Sequence, residues 1–75
     1  MNWTLVIKKD GIEKYRILTP TGDQAKTRAR QFRGQHRQPG GYDDERYGFT
    51  ILDPSGREWM HARVVTGMRI NWVWA

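Results

Sequence analysis

Apolar residues alternate with polar ones at the start of the chain. Trp3, Leu5 and Ile7 recur at every second position, which is typical of a strand with one buried face. Asp10-Gly11 follows. This dipeptide favours a type I′ hairpin turn, which needs a positive φ at both of its central residues. The alternation resumes with Tyr15 and Ile17 on one face. The sequence therefore predicts an antiparallel hairpin whose strands are residues 2–9 and 12–19.

A helical pattern begins after Pro20. Thr21 is a suitable N-cap, and Gln24 three residues later completes a capping box. At 100° per residue the apolar side chains fall on one narrow stripe, which we expect to pack on the sheet. That stripe consists of Ala25, Ala29 and Phe32. The helix is predicted from about residue 22 to residue 33, with Gly34 as its C-terminal stop.

The second half of the chain returns to a period of two. After a long loop at residues 34–45, breaks at Asp53-Pro54-Ser55-Gly56 and at Thr66-Gly67 divide it into three stretches. The predicted strands are residues 46–53, 57–65 and 68–74. In the middle strand the alternation predicts Met60, Ala62 and Val64 on one face and Trp59, His61, Arg63 and Val65 on the other. The last strand carries Met68, Ile70, Trp72 and Trp74 in register.

The order of elements is thus β-β-α-β-β-β in a single domain spanning residues 1–75. Short turns between strands make the sheet antiparallel, and one helix would cover one of its faces. The sequence therefore predicts a small two-layer α+β domain. A small, curled β-barrel with one helix fits the same pattern and stays open as an alternative.

Length and composition limit what such a chain can be. Seventy-five residues are close to the lower limit for a single core, and without cysteine no disulfide can staple it. No apolar run approaches the roughly 18–20 residues of a membrane span, and the N-terminus lacks the pattern of a signal peptide. We therefore expect a complete, small cytoplasmic protein that does not enter a membrane.

The formal net charge of +5 is concentrated in one segment. Between Gln24 and Gln38 there are five basic residues and no acidic one, whereas the remaining eight basic residues balance eight acidic ones. The five are Lys26, Arg28, Arg30, Arg33 and Arg37. An ordinary solvated helix face explains such a cluster as readily as a binding surface does. The clustering nevertheless favours an anionic partner.

Catalytic and metal-binding patterns are weak. Ser55 is the only serine, and it has no histidine or aspartate at a recognisable spacing. His61 is best explained as an ordinary strand residue. The run Asp43-Asp44-Glu45 lacks the alternate spacing of a calcium loop. The sequence therefore predicts neither an enzyme nor a cofactor or metal site.

The first hypothesis is a small, non-enzymatic nucleic-acid-binding protein whose basic helix face contacts the phosphate backbone. Arginine's planar fork suits phosphate oxygens, and lysine adds a point charge. The predicted nucleic-acid contacts are Lys26, Arg28, Arg30, Arg33 and Arg37, with Lys8 and Lys9 from the first hairpin. Such contacts give affinity without sequence information, so DNA and RNA both remain candidates.

The alternative is a protein-interaction module, a small regulator or inhibitor that binds an acidic protein surface. Trp72 and Trp74 at the end of the chain are its predicted partner-binding residues, although they could also close the core or stack on a base. A homodimer formed through the fifth strand is a related alternative. The direction in which the cations point separates these hypotheses, because pairing with carboxylates would neutralise the basic patch.

Overall fold

One antiparallel sheet carries a single helix on one face in the computed structural model, which describes residues 1–75. The elements are β1 Trp3–Lys9, β2 Ile12–Thr19, α1 Gly22–Gln35, β3 Tyr47–Leu52, β4 Glu58–Arg63 and β5 Val73–Trp74. The strand order is β2-β1-β3-β4-β5, so β1, β3 and β4 lie inside the sheet and the two outer strands, β2 and β5, do not pair with each other. The two-layer α+β domain is confirmed, and the sheet is open, not a closed barrel.

The first hairpin forms as the alternation predicts. Asp10 and Gly11 have φ angles of 53° and 78°, as a type I′ turn requires. Leu5 and Ile7 are completely buried. Because residues paired across a sheet share a face, their partners Ile17 and Tyr15 in β2 lie on the helix side as well. Tyr15 accordingly reaches Phe32 of α1, with 5.6 Å between the ring centroids.

The core lies between α1 and this face of the sheet. Ala25 and Ala29 are completely buried, and their small side chains let the helix approach the strands closely. Phe49 and Ile51 of β3 complete the floor beneath Phe32. Burial of a large apolar side chain of this kind stabilises the fold by about 1.5–3 kcal/mol.

The helix begins where predicted and ends later. Thr21 caps its start, accepting a hydrogen bond from the Gln24 backbone N–H at 3.1 Å. The predicted stop at Gly34 is wrong, since the helix continues to Gln35 and His36 is its C-cap. His36 donates its backbone N–H to the Phe32 carbonyl, and its ring stacks on the Phe32 ring at 3.8 Å. This stacking stabilises the last residues of the helix.

The predicted face of Trp59 is wrong. A bulge interrupts the register between β3 and β4, so that Ile51 pairs with Met60 and Leu52 with Glu58. Trp59 is left unpaired between them and turns towards the N-terminus of α1. There its ring packs edge-on against Trp3, with 4.8 Å between centroids.

The fifth strand is much shorter than residues 68–74. The predicted turn does form, with Gly67 at φ 75° and the Met68 N–H donated to the Val65 carbonyl at 3.1 Å. This turn carries the chain away from β4, and pairing resumes only at Val73 and Trp74. Between the turn and β5 the chain is irregular, with Ile70 and Trp72 packed against the core.

Helix α1 is too short and too polar to cross a membrane.

Candidate nucleic-acid interface

A groove of about 520 Å³ runs between the C-terminal half of α1 and the irregular segment before β5. We name it the arginine groove. Its lining residues are Arg30, Arg33, Gly34, Arg37, Asp43, Arg69, Ile70 and Trp72. Four guanidinium groups therefore face one carboxylate, which leaves a formal charge of +3. Such a surface favours an anionic ligand.

Two of these arginines lie in the helix and a third follows it. Arg30 and Arg33 are three residues apart and share one face of α1, whereas Arg37 lies one residue beyond the C-cap His36. Arg37 therefore belongs to the loop, and its position does not follow from the helical period. An ion pair with Asp43, which also binds Arg33, places Arg37 beside the other arginines of the groove.

Arg33 is held by the fold. Its Nη2 donates to Asp43 Oδ2 and to the Val65 carbonyl, each at 2.9 Å. It therefore joins α1 to the loop before β3 and to the turn after β4. The hydrogen bond from Arg33 lowers the pKa of Asp43 below its ordinary value, and the Gly67 N–H adds to this effect against the cost of burial. Both side chains are largely buried, at 15% and 13% exposed.

The other three arginines of the groove remain available to a ligand. Arg37 Nε lies 3.6 Å from Asp43 Oδ1, an ion-pair distance without a hydrogen bond, and that oxygen has no hydrogen-bond partner. Arg30 donates only to the Thr27 hydroxyl, at 2.9 Å. Arg69 takes part in none of the ion pairs.

The helix dipole works against an anion in this groove. A helix C-terminus carries roughly half a negative charge. The formal charge of +3 in the groove is about six times larger than this partial charge, so the guanidinium groups determine the sign of the local field.

The opposite face of the sheet, which no helix covers, holds a second groove of about 520 Å³. We name it the open-face groove. It is lined by Lys8, Gly48, Phe49, Thr50, His61, Ala62, Arg63, Val65, Met68, Arg69, Asn71 and Val73. No carboxylate is among these residues. Glu45 and Glu13 lie near its Arg63 and Lys8, but neither forms an ion pair with them.

The segment between β4 and β5 is a ridge between the two grooves. Ile70 and Trp72 line the arginine groove, whereas Met68, Asn71 and Val73 line the open-face groove. Arg69 lines both. The two cationic surfaces are therefore contiguous at Arg69.

The remaining predicted contacts are dispersed. Lys26 Nζ lies 4.9 Å from the centre of a Trp59 ring, and Lys9 Nζ lies 5.5 Å from that of Tyr47. Lys8 is on the sheet face opposite α1, and Arg28 is exposed outside both grooves. The seven predicted cations thus do not form one patch.

The two C-terminal tryptophans differ in their surroundings. Trp72 is partly buried, packs against the core and lies 6.2 Å from Phe49 between ring centroids. Its remaining surface lines the arginine groove. Trp74 is 67% exposed and lies outside both grooves, with 5.8 Å between its ring centroid and that of Trp59.

The three consecutive acidic residues Asp43, Asp44 and Glu45 bind separate partners. Asp43 binds Arg33, Asp44 forms a two-pronged pair with Arg46, and Glu45 accepts the Thr66 backbone N–H at 2.8 Å. The Arg46 bonds lower the pKa of Asp44 to about 2, and the Thr66 bond lowers that of Glu45. No group of three or more potential metal ligands converges in the structure.

Sequence reasoning did not place Arg69 at the candidate site. Arg69 lies in the predicted strand at residues 68–74 and is not among the seven predicted nucleic-acid contacts. The irregular path after Thr66-Gly67 brings it to the helical arginines, and no local spacing signals that path. Comparisons with protein-family models, with curated proteins and with solved structures found no match for this chain.

Proposed function

We propose that the protein is a non-enzymatic nucleic-acid-binding protein that holds the phosphate backbone in the arginine groove. The observation that carries this proposal is the convergence of Arg30, Arg33, Arg37 and Arg69 on a groove with one carboxylate. Guanidinium groups bind phosphate oxygens through paired, charge-assisted hydrogen bonds.

Within the groove the arginines take different roles. Arg30, Arg37 and Arg69 contact phosphates, because their guanidinium groups are free of hydrogen-bonded carboxylates. Arg33 shapes the groove by holding Asp43 and the Val65 carbonyl. The predicted contacts Lys26, Lys9 and Arg28 contribute only to the long-range field, since they lie outside the groove.

An acidic protein surface is the second candidate partner. Exposed apolar side chains favour it, because Met68 is 61% and Val73 46% exposed beside the cations of the open-face groove. A homodimer through the fifth strand would rest on β5, which offers only two residues for pairing. Nucleic acid remains the first candidate because five of the eight residues that line the arginine groove are charged, and four of these five are arginines.

Fluorescence anisotropy of a labelled oligonucleotide at low salt tests the proposal. We expect Arg30→Gln/Arg69→Gln to lower the affinity about tenfold, since two phosphate contacts are lost. Lys14→Gln/Arg57→Gln is the matched control, because it removes two exposed positive charges outside both grooves. Equal losses in the two variants would mean that net charge alone drives binding and would contradict a site in the groove.

A further inference from the structure

We infer that the ligand is a single strand of nucleic acid, which runs from the arginine groove over Arg69 into the open-face groove. This inference rests on the proposed function and extends it to the class of nucleic acid and to a second set of contacts. Three observations support it: Arg69 lines both grooves, Trp72 lines the arginine groove, and no carboxylate lines the open-face groove.

The two grooves form one cationic path with a bend. Arg69 belongs to both, and the ridge that carries it separates the helix side of the molecule from the open sheet face. A ligand that occupies both grooves must turn over this ridge. Duplex DNA resists such a turn, since its persistence length is about 150 base pairs. A single strand has no such stiffness and follows the bend.

Trp72 supplies a contact that a duplex cannot use. Its exposed surface lies among the arginines of the arginine groove. In a single strand an unstacked base is free to lie on such a ring, whereas duplex bases are stacked on one another. An aromatic ring beside phosphate-binding arginines is the combination that single-strand sites use.

The open-face groove extends the path. Lys8 and Arg63 supply its positive charge together with Arg69, and no carboxylate lines it. Its exposed apolar side chains are Val65, Met68 and Val73. Phe49 is 2% exposed and offers no free ring, so we assign Lys8 and Arg63 to phosphates and give this groove no stacked base.

The test compares oligonucleotides of two lengths. Anisotropy is measured at low salt with labelled dT4, dT16, rU16 and a 16-base-pair duplex. The variants are Lys8→Gln/Arg63→Gln for the open-face groove, Arg30→Gln/Arg69→Gln for the arginine groove and Lys14→Gln/Arg57→Gln as the control. A long strand can bind a short site in several registers, which raises its affinity without any further contact. The test therefore compares, for each oligonucleotide, the affinity of a variant with that of the wild-type protein.

We expect Lys8→Gln/Arg63→Gln to weaken dT16 binding about tenfold and dT4 binding less than about twofold, since the short strand fills only the arginine groove. Arg30→Gln/Arg69→Gln weakens both. The control variant changes each affinity less than about twofold. The dT16 and rU16 arms report whether the site prefers DNA or RNA.

Three results would overturn the inference. A duplex bound as tightly as dT16 would exclude the single strand, and equal effects of Lys8→Gln/Arg63→Gln on dT4 and dT16 would exclude the second groove. Competition by polyglutamate as strong as that by dT16 would favour an acidic protein partner. If the wild-type protein binds none of the oligonucleotides, the proposed function itself fails. The proposed function survives a failure of the inference if the wild-type protein still binds dT4 and only Arg30→Gln/Arg69→Gln weakens that binding.

Discussion

Arg33 and Asp43 form an ion pair with 2.9 Å between Nη2 and Oδ2, and this pair joins the helix to the loop before β3. Asp43 also contacts the backbone N–H of Gly67, at 3.4 Å. The one carboxylate that opposes the arginines of the groove thus also holds the groove's wall in place. Stability and affinity for an anion therefore depend on Asp43 in opposite directions.

Asp43→Asn separates these two effects. The substitution removes the negative charge while nearly keeping the shape, so we expect a lower free energy of unfolding and a higher affinity for single-stranded nucleic acid. Urea denaturation measures the first and anisotropy the second. One released arginine contact raises the steepness of the salt dependence by about 0.7 on the log-log scale for a single strand. A variant with lower affinity than the wild type would contradict the assignment of the groove.

Acid stability depends on the second carboxylate of the loop. Asp44 is 6% exposed and accepts three hydrogen bonds from Arg46, which lower its pKa from 3.8 to about 2. Because the folded pKa lies below the unfolded one, its contribution is fully present above about pH 5 and is lost as the pH falls towards 2. We expect stability to fall over this range, and less steeply in Asp44→Asn. Urea denaturation at a series of pH values measures this, and equal slopes in the two proteins would contradict the prediction.

Two glycines of α1 provide opposite tests of packing. A Cβ at Gly22 would lie 2.8 Å from Cη2 of Trp59 and closer still to Cζ3 of that ring, whereas a Cβ at Gly34 meets nothing within 4 Å. We therefore expect Gly22→Ala to destabilise the protein by about 1–3 kcal/mol through overpacking. Gly34→Ala should stabilise it by about 0.5–1 kcal/mol, the ordinary gain in helix propensity. A stabilising Gly22→Ala in urea denaturation would show that Trp59 does not pack there.

The C-terminal tryptophans separate the nucleic-acid and protein-partner hypotheses. Trp72→Leu removes the ring in the arginine groove, and a stacked base contributes about 1–3 kcal/mol, so single-strand affinity should fall at least fivefold. Trp72→Phe keeps a ring and should retain most of the affinity, which controls for lost packing against Phe49. Trp74→Leu should leave the affinity unchanged, because Trp74 lies outside both grooves. If only Trp74→Leu weakens binding, the site has been misplaced.

Local signals predicted those parts of the fold that depend on neighbouring residues. The alternation of Trp3, Leu5 and Ile7 and the turn at Asp10-Gly11 determine the hairpin, and Thr21 with Gln24 determines the start of the helix. These features arise within a few residues of one another. Short-range patterns therefore predicted the α+β architecture and its first four strands.

Contacts between distant residues decided the rest. The end of the helix depends on His36 stacking upon Phe32, and the direction of Trp59 depends on a bulge against β3. Arg69 reaches the candidate site because the chain leaves β4 at Gly67. The sequence supplied the arginines of the helix as candidates, but tertiary packing decides which of them share a groove.

The measurement that tests the central claim most directly is the salt dependence of dT16 binding. Five cations line the path without a hydrogen-bonded carboxylate: Lys8, Arg30, Arg37, Arg63 and Arg69. If each neutralises one phosphate, the log of the association constant should fall against the log of the salt concentration with a slope of about −3.5. Arg30→Gln/Arg69→Gln should reduce the steepness to about −2, while Lys14→Gln/Arg57→Gln should leave it unchanged. A slope near zero in the wild-type protein, or the same slope in all three proteins, would contradict phosphate binding in these grooves.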